Sequence, residues 1–228
     1  MVDPLTLIQG LGGKYQRTPY YVWAIDPDFT PDSKSPEASV KGEESVGYRD
    51  VEMFGGYAVK RWPSANVITS EASTRKWGRG MKKKVLKGKH LPAIDVDIPL
   101  SFENGTLTFD TILSEEDSWE LGAAFAEAGL VEPEYVVDWD GYSTSISPFS
   151  CNVTLVGSST EGHFHLYIDS LLDTKTYMTL LEAMAQVGVV EWGYFEASSV
   201  QGRTCLRIYP NKHKFPRPGE DSDDMEPF

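Results

Sequence analysis

The chain has 228 residues, 40% of them hydrophobic and 12% aromatic, and carries 21 Lys plus Arg against 34 Asp plus Glu for a net charge of −13. That size and apolar content suffice for one large domain or two small ones with a real core, while the charge excludes nucleic-acid binding over the whole surface and leaves it only to a local basic patch. Cys151 and Cys205 fit neither a zinc motif nor a disulfide framework, and no apolar run nears the roughly 18–20 residues of a membrane span, so a reduced, cytoplasmic protein without membrane contact is expected.

The N-terminal MVDPLTLIQGLGG lacks the basic and long apolar regions of a secretory signal. Tyr20–Ile25 reads as a strand, and residues 26–50, rich in Pro, Ser, Glu and Asp, as a long mobile loop. Strand-like VEMFGGYAVKRW and ANVIT follow. Residues 75–89 then gather Arg75, Lys76, Arg79, Lys82, Lys83, Lys84, Lys87 and Lys89, the local basic segment through which nucleic acid would be held.

The segment LPAIDVDIPL predicts a strand over 92–98. Alternate strand residues share a face, so Asp95 and Asp97 project together while Ile94, Val96 and Ile98 enter a core. A hairpin strand is expected near 105–109. Ser114, followed by Glu115, Glu116 and Asp117, caps a helix that stops at Gly129. Strands are expected near 134–139, 151–156 and 163–168, a second helix from Asp173 to Gly188, and strands near 192–197 and 203–208. An offset of 59 residues repeats one pattern, including Leu121/Leu180, Ala126/Ala185, Gly129/Gly188, Glu132/Glu191 and Tyr135/Tyr194. These elements predict a mixed α/β (α+β) chain: a small α/β N-terminal unit over 1–90, an RRM/ferredoxin-like split βαβ core over 91–215, and a disordered acidic tail over 216–228.

Three constellations bear chemistry. Two same-face carboxylates, Asp95 and Asp97, make a hard-oxygen site for Mg²⁺ or Mn²⁺. The turn Ser158-Ser159-Thr160-Glu161-Gly162 leads into His163 and His165, which alternate with Phe164, Leu166 and Ile168; its amides and hydroxyls, Ser159 among them, suit phosphate oxygens. Arg203 and Arg207 would share a strand face, with Lys212, His213 and Lys214 following, as a polyphosphate requires. Glu196, or else Glu191, is the candidate third acid.

In this order the motifs resemble those of the archaeo-eukaryotic primase superfamily, the primase–polymerase group. The matching pieces are Asp95-Val96-Asp97, Gly162-His163-Phe164-His165-Leu166-Tyr167, and the run from Arg203 to Lys214, within residues 90–214. The resemblance implies an RRM-like core and a metal-dependent nucleotidyltransferase that makes primers or extends DNA from nucleoside triphosphates. Asp95, Asp97 and Glu196 would hold two divalent ions. His165 would act on the triphosphate, with Ser159, His163, Arg203, Arg207 and Lys212 binding it. Replication proteins would be partners, and so compact a form would suit a bacteriophage or another mobile element. The chain departs from the pattern in having Glu161-Gly162 before the histidine and Tyr209-Pro210 where Pro-Gly is usual, and in lacking a zinc stem or helicase segment. Two other functions fit the same residues: a non-catalytic interaction or nucleic-acid-mimic protein, and a metal-dependent nuclease or phosphohydrolase.

Overall fold

The computed structural model describes residues 11, 13–20, 67–74, 85–158 and 162–207, with the side chains of Pro19, Tyr20, Val67 and Arg207 outside that set. The expected acidic loop 26–50, most of the basic segment (75–84), Ser159, Lys212 and the tail 216–228 lie outside the described residues. The elements are β1 (Tyr15–Tyr20), β2 (Val67–Thr74), β3 (Val85–His90), β4 (Ala93–Val96), β5 (Leu100–Glu103), β6 (Thr106–Phe109), α1 (Glu115–Glu127), β7 (Val131–Trp139), β8 (Thr144–Phe149), β9 (Val153–Gly157), β10 (Phe164–Ile168), β11 (Leu172–Asp173), α2 (Thr174–Gln186), α3 (Trp192–Gln201) and β12 (Cys205–Arg207).

The class is α+β, with every described ladder antiparallel. Three sheets form. One runs β1-β2-β3-β11, with β12 also on β2; the second runs β4-β10-β9; the third runs β5-β6-β8-β7. The first sheet therefore joins strands from both sides of residue 90. No helix among the described residues is long and apolar enough to cross a membrane.

The main core lies between the third sheet, α1, α2 and the inner face of β4-β10-β9. Ile94, Val96, Leu166 and Ile168 are buried in it, as the alternation in β4 and β10 requires. A smaller apolar cluster of Leu11, Ile68, Ala93, Tyr167 and Leu206 seals the first sheet against the other face of β4-β10. The middle sheet is thus covered on one side by the main core and on part of the other by the first sheet.

α1 begins where Ser114 Oγ accepts the Asp117 N–H (3.0 Å). α2 begins where Asp173 accepts the Thr176 N–H (2.9 Å). Both end in the same corner. Gly129 and Gly188 take φ of +68° and +76°, a conformation that a Cβ disfavours. Their amides bond Ala126 O and Ala185 O, and the next amides bond Phe125 O and Met184 O.

After the second corner the expectation fails. Residues 192–197 are not a strand but the start of α3, whose stop is Gly202 at φ +67°. The cause is tertiary. Asp97 N–H bonds Val189 O (3.2 Å), and Asp97 Oδ2 accepts the Glu191 N–H (2.7 Å) at the N-cap of α3. A carboxylate just past the end of β4 thus starts the helix, overriding the strand-like aromatics of Trp192-Gly193-Tyr194-Phe195. Three smaller differences follow. The first described strand runs Tyr15–Tyr20, and the expected strand Tyr20–Ile25 lies, past Tyr20, outside the described residues. The hairpin strand near 105–109 is β6, paired with β5 and not with the Asp95 strand. β8 was not expected, because Thr144-Ser145-Ile146-Ser147-Pro148-Phe149 reads as polar turn although Thr144, Ile146 and Phe149 are buried.

Candidate functional site

β10 is the centre of its sheet, and β4 is an edge of it. The bare side of β4 is covered by side chains instead of a strand. Around Ala93 the Ala93 N–H donates to Tyr177 Oη (3.2 Å), Tyr177 to Thr204 Oγ1 (2.7 Å), and Thr204 Oγ1 back to Ala93 O. Tyr194 Oη also donates to Ala93 O (3.3 Å). The closed ring satisfies an edge that would otherwise be open.

The register of β4 on β10 sets Asp95 opposite His165, with Val96 opposite Phe164. One step on, Asp97 meets His163. Asp95 and His165 thus face each other within the strands, and Asp97 and His163 meet just beyond the ends of β4 and β10. Asp97 Oδ1 is 2.8 Å from His163 Nδ1. Asp95 Oδ1 is 3.7 Å from His165 Nε2. Burial falls along the face. Tyr167 and Ala93 lie under the first sheet, His165 sits at its border, and the His163 side chain is 33% exposed.

The two pairs differ electrically. Burial pushes the His165 imidazole down to about 4. The ring is uncharged at neutral pH, and its approach to Asp95 is a charge–dipole contact, not an ion pair. Asp97 has partners on both oxygens, His163 on one and the Glu191 amide on the other. It holds the start of α3 as well as facing the site.

Arg17, on β1, closes the buried end. Its Nη2 donates to Pro92 O (3.0 Å) and Ile168 O (2.9 Å), so it bridges β4 and β10. Its Nη1 lies 3.6 Å from Asp169 Oδ1, and the guanidinium sits 5.1 Å from the centre of the Tyr167 ring. Full burial lowers its pKa against the pull of Asp169. No motif marked Arg17. Its signal was only a basic residue alternating with Tyr15 and Pro19 in a short strand.

The remaining expected site residues are placed differently. Arg203 precedes β12 instead of sharing a strand face with Arg207, and its Nη1 meets Glu71 Oε2 at 3.4 Å. Glu196 is exposed on α3 and accepts from Trp192 Nε1 (3.1 Å), a bond within the helix. Glu191 meets Asp97 through its backbone amide, not its carboxylate.

Among the described residues no group of three or more His, Cys, Asp and Glu is drawn together for a metal ion. The donor chemistry of Asp95, Asp97 and uncharged His165 nevertheless suits a hard or borderline divalent cation. Set against known protein families, curated proteins and solved structures, the chain matches none of them.

Proposed function

We propose that the Asp95/Asp97–His163/His165 face is a divalent-metal site for nucleotidyl transfer of the primase–polymerase kind, with nucleoside triphosphates as substrates. One observation carries the reading: the Asp-x-Asp and His-x-His segments run side by side, so that Asp95 faces His165 across the β4–β10 ladder and Asp97 meets His163 just beyond it. The ion, Mg²⁺ or Mn²⁺, would neutralise polyphosphate charge and make a sugar hydroxyl more acidic. Asp95 and Asp97 would hold it, with Glu196 or Glu191 as the third acid. His165, uncharged and walled in by Tyr167, would direct a hydrogen bond to a phosphate oxygen. His163, held through Nδ1 by Asp97, would present its other nitrogen outward. The RRM/ferredoxin-like relation is the weaker half of the proposal, since a split βαβ unit contains a parallel strand pair and the described ladders are antiparallel.

The clean probe is Asp95→Asn, because changing Asp97 would also release the start of α3. With Mn²⁺ and nucleoside triphosphate at about a hundred times Kd, linkage gives a melting shift of about 5–10 °C for a chain of this size. The shift should vanish in Asp95→Asn, together with nucleotide incorporation on a DNA template. A wild-type protein that shows neither shift nor incorporation would overturn the reading in favour of a non-catalytic protein. Cleavage of labelled DNA without nucleotides would move it to a nuclease.

A further inference from the structure

The charges of this chain are segregated. Residues 91–202 contain nineteen Asp and Glu and a single Lys or Arg, Lys175. Within that acidic unit, exposed aromatics gather at one end of the third sheet. The register aligns Leu100–Phe109 and Phe109–Thr144–Trp139 across its four strands. Beyond this row come Asp110, the β7–β8 turn with Asp140 and Tyr142, and the loop through Ile112 into α1.

Two contacts tie these segments together and two more brace the turn. Trp139 Nε1 donates to Leu113 O (2.9 Å), Ser118 Oγ meets Thr144 Oγ1 (2.7 Å), and Asp140 Oδ1 accepts the amides of Tyr142 (2.9 Å) and Ser143 (2.8 Å). On this braced end Ile112 is 76% exposed, Trp119 50% and Tyr142 77%. Large aromatic side chains held open to water on a fixed frame are unusual without a partner.

We propose that this end of the sheet binds a Lys/Arg-rich segment of a partner polypeptide. The aromatic faces offer cation–π contacts, and Asp110, Glu115 and Asp140 offer carboxylates around them. The chemistry selects against nucleic acid. A phosphate backbone would meet carboxylates with no Lys or Arg anywhere from residue 90 to residue 174. An acidic rim with an aromatic centre also matches the composition of binding surfaces, in which Trp and Tyr carry most of the affinity.

The test titrates the full-length protein with a short peptide alternating Arg and Gly, and with its Glu/Gly counterpart, following tryptophan fluorescence and heat. The Arg peptide should bind and the Glu peptide should not. The double variant Trp119→Ala, Tyr142→Ala leaves the net charge of −13 unchanged and removes only exposed rings, so its fold should persist. It should bind the Arg peptide about tenfold more weakly. Equal binding by the variant would overturn the proposal, leaving only generic attraction to an acidic protein. So would duplex DNA competing for the same rings. Neither outcome depends on the Asp95/Asp97 face, which the nucleotide assay tests separately.

Discussion

His90 shows how a buried side chain adds to the acid sensitivity of this fold, in the same sense as His165. It is 3% exposed between β3 and α2. Ser70 Oγ accepts the Thr204 N–H (3.1 Å), which directs its own proton to His90 Nδ1 (3.1 Å); His90 Nε2 then carries the hydrogen given to Thr174 Oγ1 (2.9 Å). Protonation would put a second donor against the Ser70 hydroxyl. Burial first, and the charge of Arg203 second, push the ring down from 6.5 to about 4, against the opposing pull of Asp173. The unfolded chain therefore binds the proton more readily than the folded one. This contribution is complete above the unfolded value near pH 6.5 and drains away as the pH falls toward 4, by about 3 kcal/mol. Glu71, raised by burial, acts in the opposite sense, so the useful readout is a difference. Urea unfolding across that range should show a shallower loss for His90→Gln than for the wild type. Parallel curves would refute the account.

Among the elements, α1 is fixed by one missing side chain. A Cβ on Gly122 would stand 2.3 Å from Val137 Cγ2 and 3.2 Å from Tyr135 Cε2. Val is stiff at χ1, so α1 would have to lift off β7. Gly122→Ala should cost about 1–2 kcal/mol, the overpacking penalty less the helix-propensity gain, and a lower urea midpoint at constant m-value would show it. A more stable variant would mean that helix and sheet are not in tight contact. Such helix limits were legible in the sequence. Ser114, Gly129, Asp173 and Gly188 mark caps and stops with local chemistry, and the alternation of Ile94, Asp95, Val96 and Asp97 fixes a strand and its two faces. α3 was not legible in the same way, because its start is supplied by Asp97, almost a hundred residues earlier. Its stop, Gly202, is by contrast a local signal. At the site, the pairing of acids with histidines followed from alternation in two strands, but which strand lay beside which did not. Arg17 escaped notice because a lone arginine in a short strand carries no motif. The acidic run from 91 to 202 was plain in the sequence and points away from the basic segment, toward a second surface.

For the whole molecule, the question is what holds the first sheet over the middle one, since that cover decides which part of the Asp/His face stays dry. The apolar seal is small, five buried residues. Arg17 supplements it with two bonds to carbonyls at the ends of β4 and β10, a stack on Tyr167 and the approach to Asp169. A buried guanidinium is a poor source of net stability compared with a packed apolar group, yet removing it alone withdraws the cation from the Pro92 and Ile168 carbonyls and from Asp169 and leaves a buried void. Arg17→Ala should therefore cost about 3–5 kcal/mol. Arg17→Met, which keeps much of the stem, should recover only the packing part. The loss should be concentrated where the two sheets meet. Amide exchange should quicken at Tyr167 and Ile168 more than at Leu121 or Phe125 in α1, which the main core protects independently. If Arg17→Ala instead unfolds at the wild-type urea midpoint, the first sheet is held by its apolar contacts and the hydrogen bonds of Thr204 to Ala93 and Tyr177. His165 would then owe its dryness to Leu11, Ile68 and Leu206, not to the arginine.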